Sequence, residues 1–281
     1  MLCPYAVLWI TLMDLKVHLY GEAACPTLDL ARLAGLLKGW LPNLEVDTRP
    51  PFLQPLAQDG AALDRVAQGW ARAKVRRADR PLDASFVPLY GEVAYERRRL
   101  AGASSAWGIL YDGYEVALLL RPLIPKAERN LGHLHIVFTN QMLGTWEEAD
   151  RRYHARVGIY SYPCLLSVSG LTEALAKPRE YHLLQRQYQA LGVPDAAAVE
   201  LDPAFRGRTI HPDDPRLTDI LAGYVAQALF HHQTGNPFCA DKGCRLYNAH
   251  WQEEALYAQL GAPYEFCPKH QQMFEDIGAL R

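Results

Sequence analysis

The sequence is poor in cysteine and has almost no excess of either charge. Only six cysteines occur in 281 residues, and 29 Lys and Arg stand against 31 Asp and Glu, for a formal net charge of −2. So few cysteines exclude a disulfide-stabilised scaffold, and the balanced charge excludes a nucleic-acid-binding protein that works through bulk positive charge. The composition, 49% hydrophobic and 21% charged residues, is typical of a globular chain and excludes intrinsic disorder.

A hydrophobic run long enough to cross a membrane is also missing. The most apolar stretch, residues 1–13, is too short, because a transmembrane helix needs roughly 20 apolar residues. No basic residue precedes this stretch, as one would in a secretory signal, and the first basic residue is Lys16. We interpret residues 1–13 as an apolar N-terminal extension. We expect a cytoplasmic protein with reduced cysteines that binds neither membranes nor nucleic acid.

Strand patterns and helix patterns follow one another along the chain, without internal repeats or low-complexity linkers. Residues 15–48 predict a β-α-β unit, in which residues 26–29 predict a helix start and leucines then recur at helical spacing. Further predicted strands cover residues 108–111, 115–120, 133–140, 156–160 and 164–168, and further predicted helices cover 59–75 and 181–191. The pattern predicts an α/β or α+β fold with one domain over residues 14–281, in which residues 53–100 are a variable elaboration.

The last third of the chain contains a long helix followed by four candidate metal ligands. Asp214 and Pro215 predict the start of this helix, and Gly235 predicts its end. The candidate ligands come in two close pairs, Cys239-x4-Cys244 and Cys267-x2-His270, with 22 residues between the pairs. Thiolate and imidazole donors in this arrangement are typical of a closed tetrahedral zinc site. We therefore predict one structural zinc ion in a C-terminal part, residues 236–281, with His250 as the substitute if His270 is not a ligand.

In this region the sequence resembles the archaemetzincins, a metzincin-type family of metallopeptidases. Their pattern HExxHxxGxxH is followed by C-x4-C-x-M and later by CxxC. His232 and Gly235 match the second histidine and the glycine, Cys239 and Cys244 match the first cysteine pair, and Cys267 with His270 takes the place of the second pair. The resemblance covers residues 14–281 and is specific over residues 228–270. It implies a metzincin-like mixed sheet with packing helices and a C-terminal structural zinc subdomain.

Other segments are similar to an uncharacterised family related to the archaemetzincins. They are residues 152–156, 177–181 and 247–251.

The residues that would perform peptide hydrolysis in that pattern are missing. Ala228 stands in place of the first histidine, Leu229 in place of the glutamate, Phe238 in place of the third histidine and Leu246 in place of the methionine. Neither alanine nor phenylalanine can donate a lone pair to zinc, and leucine cannot accept a proton. The resemblance therefore implies a lost catalytic site beside a retained structural zinc site.

Two functions from different classes remain open. The first is a catalytically inactive, zinc-binding relative of the peptidases whose cleft still binds a peptide or a protein terminus. In such folds an edge strand holds the peptide by strand addition, and residues 133–140 are the candidate strand. The second is an active metal-dependent hydrolase with a relocated site, in which His232 acts with His133 or His135. His133 and His135 are two residues apart and therefore share one strand face. The simpler interpretation is that both are polar surface side chains.

Overall fold

The computed structural model describes residues 15–22, 24–102, 108–193 and 203–279, so the predicted N-terminal extension lies outside the described residues. The strands are β1 (Lys16–Tyr20), β2 (Glu45–Arg49), β3 (Leu110–Asp112), β4 (His133–Thr139), β5 (Met142–Glu147), β6 (Arg152–Arg156), β7 (Gly158–Ile159) and β8 (Cys164–Ser167). The helices are α1 (Leu30–Trp40), α2 (Gly60–Ala73), α3 (Tyr90–Leu100), α4 (Gly113–Leu120), α5 (Val168–Glu173), α6 (Arg179–Ala190), α7 (Leu217–Thr234), α8 (Gln252–Leu256) and α9 (Pro268–Ala279).

Strands β2, β1, β4, β8 and β7, in this order, form the larger sheet. The first four run parallel, and β7 at the edge runs antiparallel to β8. A smaller sheet has the order β3, β5, β6. Mixed sheets with packed helices confirm the predicted α+β class.

The two faces of the larger sheet belong to two hydrophobic cores. Strand residues such as Val17 and Ile136 point to one face and pack with buried leucines of α1 and α7. Because side chains alternate along a strand, Tyr20 and Val137 point to the opposite face. There they pack with residues of α2 and α4. Helix α2 lies in the segment predicted as a variable elaboration, and its face provides Trp70 to this second core.

Helix α1 confirms the prediction made from its start signal and its leucine spacing. The carboxylate of Asp29 accepts a hydrogen bond from the backbone N–H of Arg32, so Asp29 is the N-cap. Leu33 and Leu37 are buried one turn apart. This helix thereby covers the face of β1 that packs into the first core.

The strand predicted over residues 115–120 is wrong, because this segment forms helix α4. The carboxylate of Asp112 accepts hydrogen bonds from the backbone N–H groups of Tyr114 and Glu115 and caps the helix. Val116 and Leu120 are buried one turn apart. A short apolar run of this kind fits a buried strand and a buried helix equally well until the cap is recognised.

Helix α7 begins later than predicted and ends where predicted. Its first residue is Leu217, because Arg216 rather than Asp214 occupies the capping position. At the other end Gly235 adopts φ +73° and its N–H bonds to the carbonyl oxygen of His231. Glycine suits this left-handed position. No helix within the described ranges is both long and apolar enough to cross a membrane.

Candidate metal centres

Two loops after helix α7 bring the four predicted zinc ligands together, and we call these four residues the cysteine cluster: Cys239, Cys244, Cys267 and His270. The first loop folds back on itself, since the N–H of Cys239 bonds to the carbonyl oxygen of Leu246 and the N–H of Tyr247 to that of Cys244. The second pair lies at the start of α9, where Cys267 precedes the helix and His270 lies in its first turn.

The spacing of the donor atoms in the cysteine cluster fits a tetrahedral zinc ion. Zn–S bonds of about 2.3 Å place two sulfurs of a tetrahedron about 3.8 Å apart. The Sγ atoms of Cys239 and Cys267 are 3.8 Å apart. The Nδ1 atom of His270 lies 3.7 Å from the Sγ of Cys244 and 3.1 Å from the Sγ of Cys267. All four donor atoms lie within 4.8 Å of one another, so these residues fit a closed, structural site.

Three residues of the cysteine cluster are buried, and the fourth, Cys239, is half-buried. Cys244 is fully buried, and Cys267 and His270 are each 6% exposed. The ring of His270 meets the ring of Phe230 edge-on at 5.2 Å. Burial raises the pKa of the Cys244 thiol to about 12 and lowers the pKa of His270. His250, the substitute ligand, does not join the four donors.

The end of helix α7 lacks the donors of a hydrolytic zinc site. Ala228 and Leu229 are buried in the first core, and Leu246 is 1% exposed. Phe238 is 39% exposed, and its ring packs edge-on against Tyr160. The helix is buried from Leu217 to Phe230 except at Asp219.

The two adjacent histidines at the end of α7 turn to different partners. His231 packs against the ring of Tyr160, at 5.8 Å between centroids. The Nε2 atom of His232 lies 2.8 Å from the carbonyl oxygen of Leu131. Burial lowers the pKa of both imidazoles. Neither histidine belongs to a group of candidate metal ligands among the described residues.

A cavity of about 350 Å³ opens between the end of the smaller sheet, edge strand β7 and helix α7. Its lining includes the aromatic side chains of Tyr114, Trp146, Tyr160, Tyr224 and Phe238. The hydroxyl of Tyr160 donates to the side-chain oxygen of Gln227, which fixes one wall of the cavity against the helix.

Residues 133–140 do not form the edge strand that was predicted to hold a peptide. They form β4, which is paired with β1 on one side and with β8 on the other. Both backbone edges of β4 are therefore occupied within the sheet. The strand at the edge beside the cavity is β7.

A second group of candidate ligands lies on the larger sheet, and we call His18, His133 and His135 the histidine cluster. His18 lies on β1 directly opposite His135 on β4. Their rings stack at 4.6 Å, and the ring of His133 stacks on that of His18 at 5.1 Å. The Nε2 atom of His18 lies 2.8 Å from the Nδ1 atom of His133. The interpretation of His133 and His135 as surface side chains is wrong for His135, which is fully buried.

Polar residues from β1, β2 and the loop before β4 surround the histidine cluster. The Nδ1 atom of His18 bonds to the carboxylate of Asp47 at 2.7 Å, and the Nδ1 atom of His135 lies 3.0 Å from the Tyr20 hydroxyl. Glu128 lies 3.8 Å from the Nε2 atom of His135 and forms two hydrogen bonds with Arg49, at 2.7 and 2.9 Å.

Burial and this charge pattern shift the pKa values of His18, His135 and Glu128. Burial, reinforced by neighbouring His18, lowers the pKa of His135 to about 4. Burial also lowers the pKa of His18, against the opposing effect of Asp47. The hydrogen bonds from Arg49 lower the pKa of Glu128 to about 2. His18 and His135 are therefore neutral near pH 7, and Glu128 is charged.

The sequence indicated two of the three histidines but not their partner. In the alternative hypothesis of a relocated hydrolase site His232 acts with His133 or His135, and the structure instead brings His18 to them. The pairing of β1 with β4, which joins residues 117 positions apart, is the reason. His18 and Tyr20 are two residues apart on a predicted strand and therefore share one face. The sequence shows this pattern, but it does not show which strand lies beside that face.

Comparison with known proteins identifies a family. The model of the probable metallopeptidase family DUF6775 matches residues 13–277. The chain therefore belongs to this family. No curated protein and no solved structure matches the chain.

Proposed function

We propose that this member of the probable metallopeptidase family is a zinc-stabilised peptide-binding protein that has lost the hydrolytic site of helix α7. The observation that carries the proposal is the contrast around the end of that helix. The cysteine cluster keeps four donors at zinc-binding distances, whereas Ala228 and Phe238 occupy the positions where the archaemetzincin pattern has zinc-binding histidines. The family supports metal binding, and the donor set supports zinc in particular.

In this proposal the zinc ion is structural. Its ligands would join the loop after α7 to the start of α9, and binding of the ion would stabilise the C-terminal part of the chain. Four protein donors leave no open position for a reacting water, unlike a catalytic zinc site with three protein ligands. The ion in the cysteine cluster would therefore not hydrolyse a substrate.

The cavity beside β7 is the proposed peptide site. An extended peptide would pair with the free edge of β7 and place an apolar or aromatic side chain among Trp146, Tyr160 and Phe238. Aromatic side chains supply most of the binding free energy in many such sites. The short strand would contribute few backbone hydrogen bonds, so the aromatic walls would determine affinity.

The test combines a hydrolysis assay with a binding assay on the full chain containing its metal. A library of unstructured peptides is incubated with the protein, and cleavage is followed by mass spectrometry while binding is followed by fluorescence anisotropy. We expect binding without cleavage. The variant F238A should weaken binding about tenfold, corresponding to about 1.4 kcal/mol.

The matched control is L183A, which removes an exposed leucine on α6. It should leave binding unchanged. Peptide cleavage by the wild type that disappears in the variant H232A would contradict the proposal and establish a hydrolytic site on α7. Equal peptide binding by the wild type and F238A would exclude the cavity as the binding site.

A further inference from the structure

We propose that His18, His133 and His135 bind a second metal ion, a divalent first-row transition metal such as Zn²⁺. This site is separate from the cysteine cluster and from helix α7, so it goes beyond the proposed function. Each histidine offers one ring nitrogen, and these three atoms lie within 4.8 Å of one another. Zn–N bonds of about 2.0–2.1 Å place two nitrogens of a tetrahedron about 3.4 Å apart, so small side-chain rotations suffice to bind an ion.

The hydrogen bonds of His18 leave a nitrogen available for the ion. Its Nδ1 atom is bonded to the carboxylate of Asp47, so its Nε2 atom points toward His133. A carboxylate–histidine–metal arrangement is the usual way in which proteins orient a metal-binding imidazole. His135 is held in the same manner, because its Nδ1 atom is bonded to Tyr20, whose hydroxyl accepts a hydrogen bond from Arg49.

The local charge also favours a cation. The charged side chains that act on His18 are the carboxylates of Asp47 and Glu128 and the single guanidinium of Arg49. The ion would therefore enter a region with excess negative charge, although Arg49 holds Glu128 in two hydrogen bonds. Three imidazole ligands select Zn²⁺, Co²⁺, Ni²⁺ or Cu²⁺ rather than Mg²⁺ or Ca²⁺, which prefer oxygen ligands.

The burial of the three histidines leaves one side of the site open. His18 is 3% exposed and His135 is fully buried, whereas His133 is half-buried at the start of β4. An ion would enter from the side of His133. Three protein ligands would leave a fourth position for water or for a small anion, as in catalytic zinc sites.

The experiment counts metal ions and separates the two sites. The metal-free full chain is titrated with Co²⁺, and bound metal is measured by plasma mass spectrometry and by visible absorption. Thiolate-bound cobalt in the cysteine cluster gives sulfur charge-transfer bands, whereas cobalt in the histidine cluster gives only d–d bands. We expect two ions per chain in the wild type, one in H133A and one in C239A, with the charge-transfer bands lost only in C239A.

Three controls keep the result interpretable. H154A removes a half-exposed histidine bonded to Asp150 and should still bind two ions. D47N keeps all three ligands and should weaken cobalt binding to the histidine cluster about 10–100-fold, because it removes the carboxylate partner of His18. Mg²⁺ in place of Co²⁺ should not bind to the cluster. Circular dichroism reports whether each variant remains folded.

Equal metal content and equal affinity in the wild type, H133A and D47N would overturn the proposal. A purely structural role for the histidines would also overturn it. In that case H133A would lower the melting temperature by the same amount with and without Co²⁺, and the wild type would bind one ion. These readouts involve neither peptide binding nor cleavage, so their failure is distinguishable from failure of the proposed function.

Discussion

The cysteine cluster and the histidine cluster both bring several metal donors together, but they do so through different parts of the fold. The cysteine cluster takes its donors from one loop and from the start of α9, within residues 239–270, and the loop is folded by its own backbone hydrogen bonds. The histidine cluster takes its donors from two strands whose contact joins distant parts of the chain. The first depends on local loops, and the second depends on the sheet.

This difference predicts a different response to metal removal. The loops of the cysteine cluster belong to the first core only, and structural zinc sites of this kind couple metal binding to folding. In contrast, β1 and β4 are held by ladder hydrogen bonds and by a core on each face of the sheet. The cysteine cluster should therefore couple metal to folding more strongly than the histidine cluster does. The following substitutions test this comparison, in order of decreasing effect.

Loss of a zinc ligand should have the largest effect. In C244A, or after chelation, the region around Arg245 and α9 should open, because structural zinc supplies on the order of 10 kcal/mol of binding free energy that is available only to the folded state. Hydrogen exchange should show lost protection there and unchanged protection in β1 and β4. The control C25A removes a buried cysteine outside both clusters. Equal loss of protection in β4 would contradict the comparison.

Substitution of Gly223 in α7 should have a smaller effect, which reaches the cysteine cluster through Gln259. A Cβ atom at Gly223 would overlap the side-chain amide of Gln259, which is 3% exposed and bonded to the carbonyl oxygen of Arg245 at 2.9 Å. We expect G223A to lower the free energy of unfolding by about 3 kcal/mol through overpacking. Urea denaturation measures this change.

The matched control for this variant is G35A in α1. Within the described residues no atom lies within 4 Å of the position that its Cβ would occupy. This substitution should raise stability by about 0.5–1 kcal/mol, because alanine is the better helix former. A similar gain in G223A would show that Gln259 can move away without cost.

The ion pairs beside the two clusters should differ in strength. Glu128 is 21% exposed and makes two hydrogen bonds with Arg49 beside the histidine cluster, whereas Glu265, beside the cysteine cluster, is 48% exposed and pairs with Arg245. We expect E128Q to lower stability by about 2 kcal/mol and E265Q by less than about 1 kcal/mol. Thermal unfolding of both variants with metal bound checks the order. A larger effect of E265Q would reverse it.

Substitution of Asp214, at the start of α7, should cause the smallest and most pH-dependent loss of stability. The carboxylate of Asp214 accepts hydrogen bonds from the backbone and the guanidinium of Arg216. Burial alone would raise the pKa of Asp214, but these bonds more than offset it, so its pKa lies below the usual value. A lowered carboxylate pKa gives stability above about pH 4, and this stability is lost as the pH falls further.

The variant D214N should therefore be about 1 kcal/mol less stable than the wild type at pH 7. The difference should shrink when urea denaturation is repeated near pH 3. Helix α7 contacts both regions, since His232 bonds beside β4 and Gln227 bonds to Tyr247. Hydrogen exchange in D214N should thus rise equally on both sides, and a change confined to one cluster would argue against this role of the helix.

The sequence was sufficient for features encoded by neighbouring residues. The spacing of Cys239, Cys244, Cys267 and His270 predicted a group that the structure brings together, because each pair needs only a local turn. The same holds for the start of α1 after residues 26–29 and for the end of α7 at Gly235.

Features that depend on strand order were not predictable in this way. Nothing in the sequence of β4 tells whether it lies inside a sheet or at its edge, and this is why residues 133–140 were misassigned as an edge strand. The meeting of His18 with His135 depends on the same unknown order. The strand prediction for residues 115–120 failed for another reason. The cap at Asp112 favours a helix, and this preference outweighed the strand-like apolar run.

The shortness of β7 also bears on self-association. Long, flat sheet edges recruit identical chains and promote fibre growth, and proteins prevent this with very short or charged edge strands. Strand β7 has two residues, and the opposite edge strand, β2, contains Glu45, Asp47 and Arg49. Edge strand β7 is therefore too short, and edge strand β2 too highly charged, to serve as a template for polymerisation.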